Sequence, residues 1–435
     1  MKLAIDTLVS LAFVPWVVPP STVNIGSTIP TPPPPQQLVT TTSTTSTTTN
    51  PILQEGISSW ISSSSSSSNM IVAVAAAAEA SQPPPSSADI ALLRQAFAEF
   101  YGVNRDLSKA LDLLSQTITK WQQSQQPNDE IAGLLRVRGD CYTLLGNAFK
   151  AYEDYNQAIV LLQTDSAKAV ADPAELPAAL LGRARAVKSS SLTQQQQTVD
   201  KLTQAAQDYE LALQLSSRED WDTTEELLQD GATRNPYAAW EWGTILRQTN
   251  QWQRASYAHS LASNAFDEIG DKARSIISLL DVGIDLAATD KQENMDEAKT
   301  ILRKAIAKTK GVEGRDVALL QKVIAKEGEG RMVLAALLWN EGKEQRNEAE
   351  AIRGEACIRL EQLQVDAAQR ASNEKMKDAS KSDPDAPTPL KFSIDDDIPS
   401  LGTSCFKFRD PVFVKETLKW PDNLAVKLEK LQSLK

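Results

Sequence analysis

From Ser86 onward, apolar residues recur every three or four positions, which places them on one face of a helix. Within the stretch GDCYTLLGNAFKAYEDYNQAI, residues 139–159, small and aromatic residues add a second regularity. They stand at offsets of 0, 3, 12, 16 and 19 and are Gly139, Tyr142, Ala151, Tyr155 and Ala158. Two antiparallel helices that pack closely need small side chains where their backbones cross and large ones where a gap must be filled. The stretch therefore predicts one helix hairpin.

The offsets 0, 12, 16 and 19 also organise four further stretches. These are Gly243, Ala255, His259 and Ala262 without an insertion; Gly283, Ala298, Leu302 and Ala305 after a three-residue insertion; Gly182, Ala205, Tyr209 and Ala212 around the insertion SSSLTQQQQTV; and Ala98, Ala110 and Leu114 in an earlier unit from Ile90 to Trp121. A last and less regular helical pair is expected at 331–339 and 348–363. Each hairpin buries its apolar face only against its neighbours, so several are needed for a stable core.

These spacings resemble the tetratricopeptide repeat. The resemblance implies an all-α solenoid of about five or six hairpins, wound as a right-handed superhelix. It also implies that the first helix of each hairpin lines a concave face that binds other proteins.

Residues 1–88 have a different composition and do not predict a fold. Two short apolar runs, LAIDTLVSLAFVPWVV and MIVAVAAAAEA, flank Pro, Thr and Ser tracts. Neither run matches the roughly 20 apolar residues of a membrane span, so we expect no stable span in the mature protein. The runs are typical of cleavable targeting signals, and the tract between them is too poor in large apolar residues to pack. We expect a disordered presequence.

This arrangement resembles a multi-part plastid presequence. The stretch SLAFVP resembles a signal-peptide boundary, and the alanines from Ala76 to Ala80 resemble a thylakoid-transfer signal with an A-x-A cleavage site. Arg is absent before Arg94, whereas transit peptides usually carry several. The alternative is a secretory signal followed by a disordered stalk.

Composition narrows the classes of function. The chain has 45 basic and 56 acidic residues, and its net charge of −11 disfavours a nucleic-acid partner. Its three cysteines, Cys141, Cys357 and Cys405, lie far apart without CxxC spacing, so we expect them to act as small apolar fillers. A single histidine makes a catalytic triad or a multi-His metal site improbable. We therefore expect no catalytic residue, no metal and no cofactor.

Two other motifs lack the residues that their chemistry needs. The acids Asp395, Asp396 and Asp397 are not followed by the Gly and Glu of a calcium loop. Gly328 and Gly330 do not belong to a phosphate-binding pattern.

Several longer stretches go beyond a generic repeat. They are DGATRNPYAAWEWG at 230–243, GDKARSIISLLDVGIDLAAT at 270–289, VEGRDVALLQKVIAKEGEGRM at 312–332, and FSIDDDIPS with LKWPDNLAVKLEKL near the C-terminus. From about Ala88 to the end, they resemble the chloroplast lumen common family of plant and algal thylakoid-lumen repeat proteins. That resemblance implies a soluble helical-repeat protein of the thylakoid lumen.

The expected organisation has four parts. Residues 1–88 form the presequence, 89–370 the repeat solenoid, 371–389 a Lys/Asp/Ser/Pro-rich flexible linker, and 390–435 a C-terminal tail. In that tail, Leu424, Leu428 and Leu431 share one helix face and are expected to cap the open end of the solenoid.

The repeat register also predicts which residues point into the concave groove. They are Arg136, Asp140, Arg183, Trp240, Thr244 and Arg247. Arginine and aromatic side chains are frequent anchors of protein interfaces, so these positions are candidate protein-binding residues. For Trp240 the alternative is packing against the next hairpin, and His259 is expected to pack between helices.

Together these observations predict a non-enzymatic scaffold or assembly factor that binds protein segments in its groove. Three alternatives stay open: a repeat adaptor of the secretory pathway, an inert structural spacer, and an enzyme that uses carboxylates in the groove. The enzyme needs a clustered pair of buried acids. The sequence does not name the partner.

Overall fold

In a computed structural model of the chain, every regular secondary-structure element of the described residues is helical. The structure describes residues 84–102, 105–188, 199–218, 221–312, 316–378 and 404–433. These residues all belong to one compact unit, Ser67–Lys435. The predicted all-α helical solenoid is confirmed. The presequence expected at 1–88 lies outside the described residues up to residue 83, and so does the acidic run at 395–397.

The α-helices of the described ranges follow one another closely along the chain. They are α1 (Ser87–Tyr101), α2 (Leu107–Gln123), α3 (Asn128–Leu144), α4 (Ala148–Leu162), α5 (Asp165–Val170), α6 (Glu175–Lys188), α7 (Val199–Ser216), α8 (Thr224–Arg234), α9 (Pro236–Gln248), α10 (Trp252–Glu268), α11 (Lys272–Ala288), α12 (Gln292–Thr309), α13 (Val317–Glu341), α14 (Arg346–Asp378) and α15 (Asp422–Gln432). Short 3₁₀ turns lie at Lys343–Gln345 and Cys405–Arg409, and a π-helical turn lies at Phe413–Thr417.

Within the described ranges, six helix hairpins form a stack. They pair α1 with α2, α3 with α4, α6 with α7, α9 with α10, α11 with α12, and α13 with α14. Each hairpin also packs on the next one, for example through α4 on α6, α7 on α9 and α10 on α11. The pairs coincide with the units that the offsets predict, and α5 and α8 are additional helices between them. α15 packs on α13 and α11 and buries Leu424, Leu428 and Leu431, as the spacing of these leucines predicts.

The helix crossings explain the recurring offsets. A Cβ atom added to Gly139 would lie 2.9 Å from the Tyr155 ring, and one added to Gly283 would lie 2.6 Å from the Leu302 side chain. In these hairpins the bulky residue thus fills the space left beside the glycine of the same hairpin. Tyr155 also lies against Gly182 of the following hairpin, so its ring occupies a space between two hairpins. The alanines at offsets 12 and 19 are buried as well.

The first hairpin does not follow the predicted register at its first position. Ala98 is exposed, whereas α1 buries Leu93, Ala96 and Phe100. The buried face of α1 is therefore set by a three-and-four spacing that excludes residue 98. Ala110 and Leu114 of α2 are fully buried, as expected.

One helix end agrees with the local sequence, and another differs from it. Asn235 caps α9, since its side chain accepts a hydrogen bond from the Ala238 amide at 3.1 Å, and Pro236 occupies the first turn. α14 continues to Asp378, so the first part of the linker expected at 371–389 is helical. The domain boundaries themselves stay predictions.

The expectation that all three cysteines act as separate fillers is wrong for two of them. Cys357 of α14 and Cys405 form a disulfide, with their Cα atoms 4.8 Å apart. The two cysteines are 48 residues apart in sequence. They meet because the C-terminal segment folds back onto α14, and a local spacing pattern does not predict such a contact. Cys141 is buried and free, and its thiol donates to the Leu107 carbonyl at 3.2 Å.

Candidate functional site: charged residues on the first helices

Arg136 of α3 lies in a buried cluster of charges. Its guanidinium donates to Glu175 Oε2 at 2.7 Å and to Asp140 Oδ2 at 2.9 Å. The Tyr155 hydroxyl donates to the other oxygen of Asp140 at 2.7 Å. Burial raises the pKa of Asp140, although the charge of Arg136 acts in the opposite direction. Arg136 thus serves two carboxylates and joins α3 to α6.

Arg183 of α6 makes a separate pair within its own hairpin. Its Nε and Nη2 atoms donate to the two oxygens of Asp208 on α7, at 2.8 and 2.7 Å. A third hydrogen bond, to Asn156 Oδ1 at 2.7 Å, reaches the preceding hairpin. This two-pronged geometry is the strong form of an arginine–carboxylate pair. Burial nevertheless raises the pKa of Asp208.

Trp240 and Arg247 of α9 both reach α11. The Trp240 indole is 6% exposed and donates to Asp281 Oδ2 at 3.2 Å. Arg247 donates to Asp281 Oδ1 at 2.9 Å and to Asp285 Oδ1 at 2.7 Å. The Thr244 hydroxyl donates to the Trp240 carbonyl at 3.1 Å, within the same helix.

Consecutive first helices are joined by one ion pair after another. The pairs are Arg136–Glu175 from α3 to α6 at 2.7 Å, Arg185–Glu241 from α6 to α9 at 2.8 Å, Arg247–Asp281 from α9 to α11 at 2.9 Å, and Lys326–Asp281 from α13 to α11 at 2.9 Å. We call these four contacts the ion-pair ladder. Because each one spans two hairpins, the ladder fixes how consecutive hairpins sit against each other.

The ladder ends in a branched network at α11 and α13. The Lys326 ammonium contacts Glu329 Oε2 at 2.8 Å as well as Asp281, and Glu329 Oε1 accepts from the Trp420 indole at 2.9 Å. Burial alone would raise the pKa of Asp281, but the charges of Lys326 and Arg247 outweigh it and hold that pKa well below its usual range. Asp281 is therefore ionised and tightly held.

His259 lies beside this network, between helices, as the sequence predicts. It is fully buried against Gly243, and its Nδ1 lies 2.6 Å from Asp285 Oδ2. Its Nε2 has no hydrogen-bond partner among the described residues. Asp285 receives Arg247 on one oxygen and the imidazole on the other, so the histidine serves to satisfy a buried carboxylate.

Three of the six predicted groove residues, Arg136, Arg183 and Trp240, are buried. Thr244 and Arg247 are partly buried, and the Asp140 side chain is 36% exposed. The structure brings Arg136 and Asp140 together, and it brings Trp240 and Arg247 together on Asp281, while Arg183 pairs elsewhere. Trp240 packs against the next hairpin, which is the alternative that its position left open. All of them are bonded within the chain, and their role as anchors of a partner stays a prediction.

Sequence reasoning missed the partners of these residues. Asp281 and Asp285 stand one helical turn apart in SIISLLDVGIDLAA, a stretch that is otherwise almost wholly apolar. Charges at that spacing in an apolar helix need buried partners, and this signal points to the network. Lys326 and Glu329 gave no comparable signal, because their place depends on how α13 returns to α11.

A clustered pair of buried acids is the feature that the enzyme alternative requires, and Asp281 and Asp285 form such a pair. Every oxygen of the two carboxylates, however, has a donor within the chain. A general acid or base works best with a pKa near the working pH, whereas the pKa of Asp281 is held low. These contacts fit a role for Asp281 and Asp285 in neutralising buried cations better than a role as acid or base.

Large apolar side chains remain exposed on α7 and α10, two helices that one ion pair links at the surface. Arg254 of α10 donates to Glu210 of α7 at 2.7 Å, which brings the two helices together. Leu211 is 38% exposed, Leu215 is 42% exposed, and Tyr257 is 37% exposed. We call these three residues the α7–α10 face. Burial, followed by the charges of Glu225 and Glu210, raises the pKa of Tyr257. Because Glu210 is paired with Arg254, the rim of this face carries charges of both signs.

Two further searches concern the described residues only. No group of three or more His, Cys, Asp or Glu side chains in these ranges is placed to hold a metal ion. None of the helices described above combines the length and the apolar character needed to cross a bilayer.

Comparison with known proteins adds little to this picture. No protein-family model matches the chain, and no curated protein matches it. Among solved structures, the chain is similar to the crystal structure of BtubC from P. vanneervenii, with 17% sequence identity and a TM-score of 0.38. The match covers 59% of this chain and 91% of BtubC. The resemblances to the tetratricopeptide repeat and to the thylakoid-lumen family stay predictions.

Proposed function

We propose that the protein is a non-enzymatic scaffold or assembly factor that binds segments of other proteins in the thylakoid lumen. The observation that carries the binding role is the α7–α10 face. Leu211 and Leu215 stand one helical turn apart on α7, and Tyr257 lies on the adjacent α10. Exposed apolar residues that cluster in this way are typical of interaction sites.

The charged interior supports this role indirectly. The ion-pair ladder ties consecutive hairpins together, so the surface that they present is held in one shape. A preformed surface loses less conformational freedom on binding than a flexible one. Arg136, Arg183 and Arg247 then act as internal ties, and the contacts with a partner are made by the exposed apolar residues.

The chemistry of the α7–α10 face indicates the kind of segment that it accepts. Its centre is apolar, and at its rim Glu210 is paired with Arg254. Such a face fits an apolar segment with a polar border, because interfaces commonly have an apolar core and a polar rim.

The location in the thylakoid lumen rests on the sequence alone. The two apolar runs, the tract between them and the long stretches that resemble the lumenal family support it. We expect cleavage after Ala78 or Ala80. The N-terminal residue of the native protein, read by mass spectrometry, tests this point: a start near Phe13 would favour the secretory pathway instead.

The binding role is tested by capture from isolated lumen with residues 81–435 as bait. The variant that replaces Leu211 and Leu215 by Ser removes the apolar centre, and we expect it to retain at least about tenfold less partner, because a few buried apolar residues carry most interface energy. Val426→Ser is the control, since Val426 is 45% exposed on α15, a helix that packs on α13 and α11. Equal retention by both variants would contradict the proposed face.

A further inference from the structure

The disulfide joins α14 to the C-terminal segment 404–433. Cys357 and Cys405 are both only half-buried. The residue after each cysteine is apolar and strongly exposed: Ile358 is 69% exposed and Phe406 is 75% exposed. Two of the most exposed apolar side chains of the described residues thus flank one cross-link.

The segment that this cross-link holds covers the end of the charged network. Trp420 of the segment donates to the buried Glu329 of α13. Lys427 of α15 reaches Asp290 at 2.7 Å, and the Asn423 amide donates to the Ala288 carbonyl at 3.3 Å. One contact thus reaches the buried network, and the other two fix the segment to the end of α11. Attachment of the segment therefore affects Glu329 and its partner Lys326.

We propose that the Cys357–Cys405 disulfide is a reducible latch on the C-terminal segment, and that its reductant is a protein dithiol that docks on Ile358 and Phe406. The reaction is thiol–disulfide exchange. One thiolate of the protein dithiol attacks one sulfur of the cross-link and forms a mixed disulfide. The other cysteine leaves as a thiolate and takes up a proton.

The second thiol of the reductant then completes the exchange. It attacks the mixed disulfide, loses its proton, and leaves as part of an intramolecular disulfide within the reductant. The other cysteine of this chain is released as a thiolate and is protonated. Two electrons and two protons have then passed from the dithiol to Cys357 and Cys405, and the C-terminal segment is held by non-covalent contacts alone.

The two exposed apolar residues identify the reductant as a protein. A small dithiol needs only access to one sulfur, and it gains nothing from neighbouring side chains. A protein dithiol must place its surface against this chain, and apolar contacts next to the cysteines orient that approach. The apolar flanks should therefore matter for one class of reductant and not for the other.

The test compares the reduction rates of the full chain with thioredoxin and with dithiothreitol. Replacing Ile358 and Phe406 by Ser should lower the second-order rate constant with thioredoxin about tenfold, because central apolar contacts dominate such interfaces. The rate with dithiothreitol should stay within about twofold, because the sulfur atoms and their access are unchanged. Val412→Ser is the control, since Val412 is 64% exposed in the same segment but flanks no cysteine.

Two results would overturn the docking part of the proposal. One is an unchanged rate with thioredoxin in the double variant, and the other is an equal loss with both reductants. Thiol counting by mass spectrometry checks the starting state, because the oxidised chain should carry one free thiol, on Cys141. Three free thiols in protein isolated without reductant would overturn the latch itself.

Hydrogen exchange then measures the consequence of opening. After reduction, amides of α15 should lose protection at least about tenfold, whereas amides of α3 should be unaffected, because local openings report local stability. The variant with Ser at 357 and 405 should behave like the reduced chain. Unchanged protection of α15 in both would show that the disulfide does not control the segment.

Discussion

The hairpins α1 to α10 and the elements α11 to α15 share one architecture but balance their buried charges in opposite ways. In the first region Arg136 serves two carboxylates, and burial raises the pKa of Asp140. In the second region Asp281 lies between two cations, Lys326 and Arg247, which lower its pKa. Desolvation therefore prevails at Asp140, whereas attraction to the nearby cations prevails at Asp281.

The comparison also separates small clusters from a network. In the first region the charged groups form small clusters, such as Arg183 with Asp208 and Asn156, so the loss of one cluster affects few helices. In the second region Asp281, Lys326, Glu329 and Trp420 are connected, and the C-terminal segment covers them. Removing one partner there leaves several buried groups unsatisfied, which is the expensive case.

Trp240 joins the two regions, and its truncation should have the largest effect. We expect Trp240→Ala to lower the free energy of unfolding by about 3–5 kcal/mol, because it leaves a cavity and takes a donor from Asp281. Denaturant unfolding measures this loss. Trp221→Ala is the control, since Trp221 is 40% exposed.

The same variant tests the groove-anchor hypothesis. If Trp240 anchors a partner, binding should weaken by about 2 kcal/mol, roughly thirtyfold in affinity, while folding suffers less. If Trp240→Ala keeps its melting temperature and loses its partner, that result would support the groove-anchor hypothesis. The structure favours the opposite outcome.

Removal of the disulfide should act on the second region alone. Replacing Cys357 and Cys405 together by Ser should cost about 2–4 kcal/mol, because the cross-link restricts the unfolded chain over a long loop. Hydrogen exchange should place the loss in α14 and α15. An equal loss of protection in α3 and α4 would mean that the two regions unfold as one.

Overpacking one helix crossing should disturb the first region by a smaller amount. Ala158 is fully buried, so Ala158→Phe should cost about 1–3 kcal/mol. Val160→Phe, two residues further along the same helix, should be nearly neutral because Val160 points outward. Melting temperatures of the two variants compare them directly, and equal values would show that the crossing lies elsewhere.

Low pH should change the stability of the two regions in opposite directions, and this is the smallest of the expected effects. The pKa of Asp281 is lowered in the folded chain, so its contribution is present above its unfolded pKa, about 3.9, and is lost as the pH falls below that value. The pKa of Asp208 is raised, so its ionisation opposes folding and its contribution is lost as the pH rises above the unfolded value. At low pH, the amides of α11 should lose more protection from hydrogen exchange than the amides of α7. Asp208→Asn should leave the decline in α11 unchanged.

The hairpins could be predicted because helix crossings restrict residue size directly. Gly139 and Ala158 have no room for larger side chains, and that restriction is visible in one sequence. The exposure of Trp240 could not be predicted, since a position on a helix face does not show what the next hairpin places against it. The contacts of Lys326 and the disulfide form between segments that are distant in sequence. Such contacts produce no periodic pattern along the chain. The α7–α10 face was missed for a similar reason, because neighbouring exposed residues come from different helices.

The position of Tyr155 between two hairpins restricts how this sequence changes over generations. Its ring fills the space beside both Gly139 and Gly182, so an alanine at either glycine collides with it. A smaller residue at 155 would remove the collision at both sites. It would also leave a cavity, which only a larger residue at 139 or 182 could fill. Neutral drift at these three positions is therefore coupled, and viable paths pass through paired substitutions. Duplicating or deleting a single hairpin here would also separate the ring from one of its two glycines.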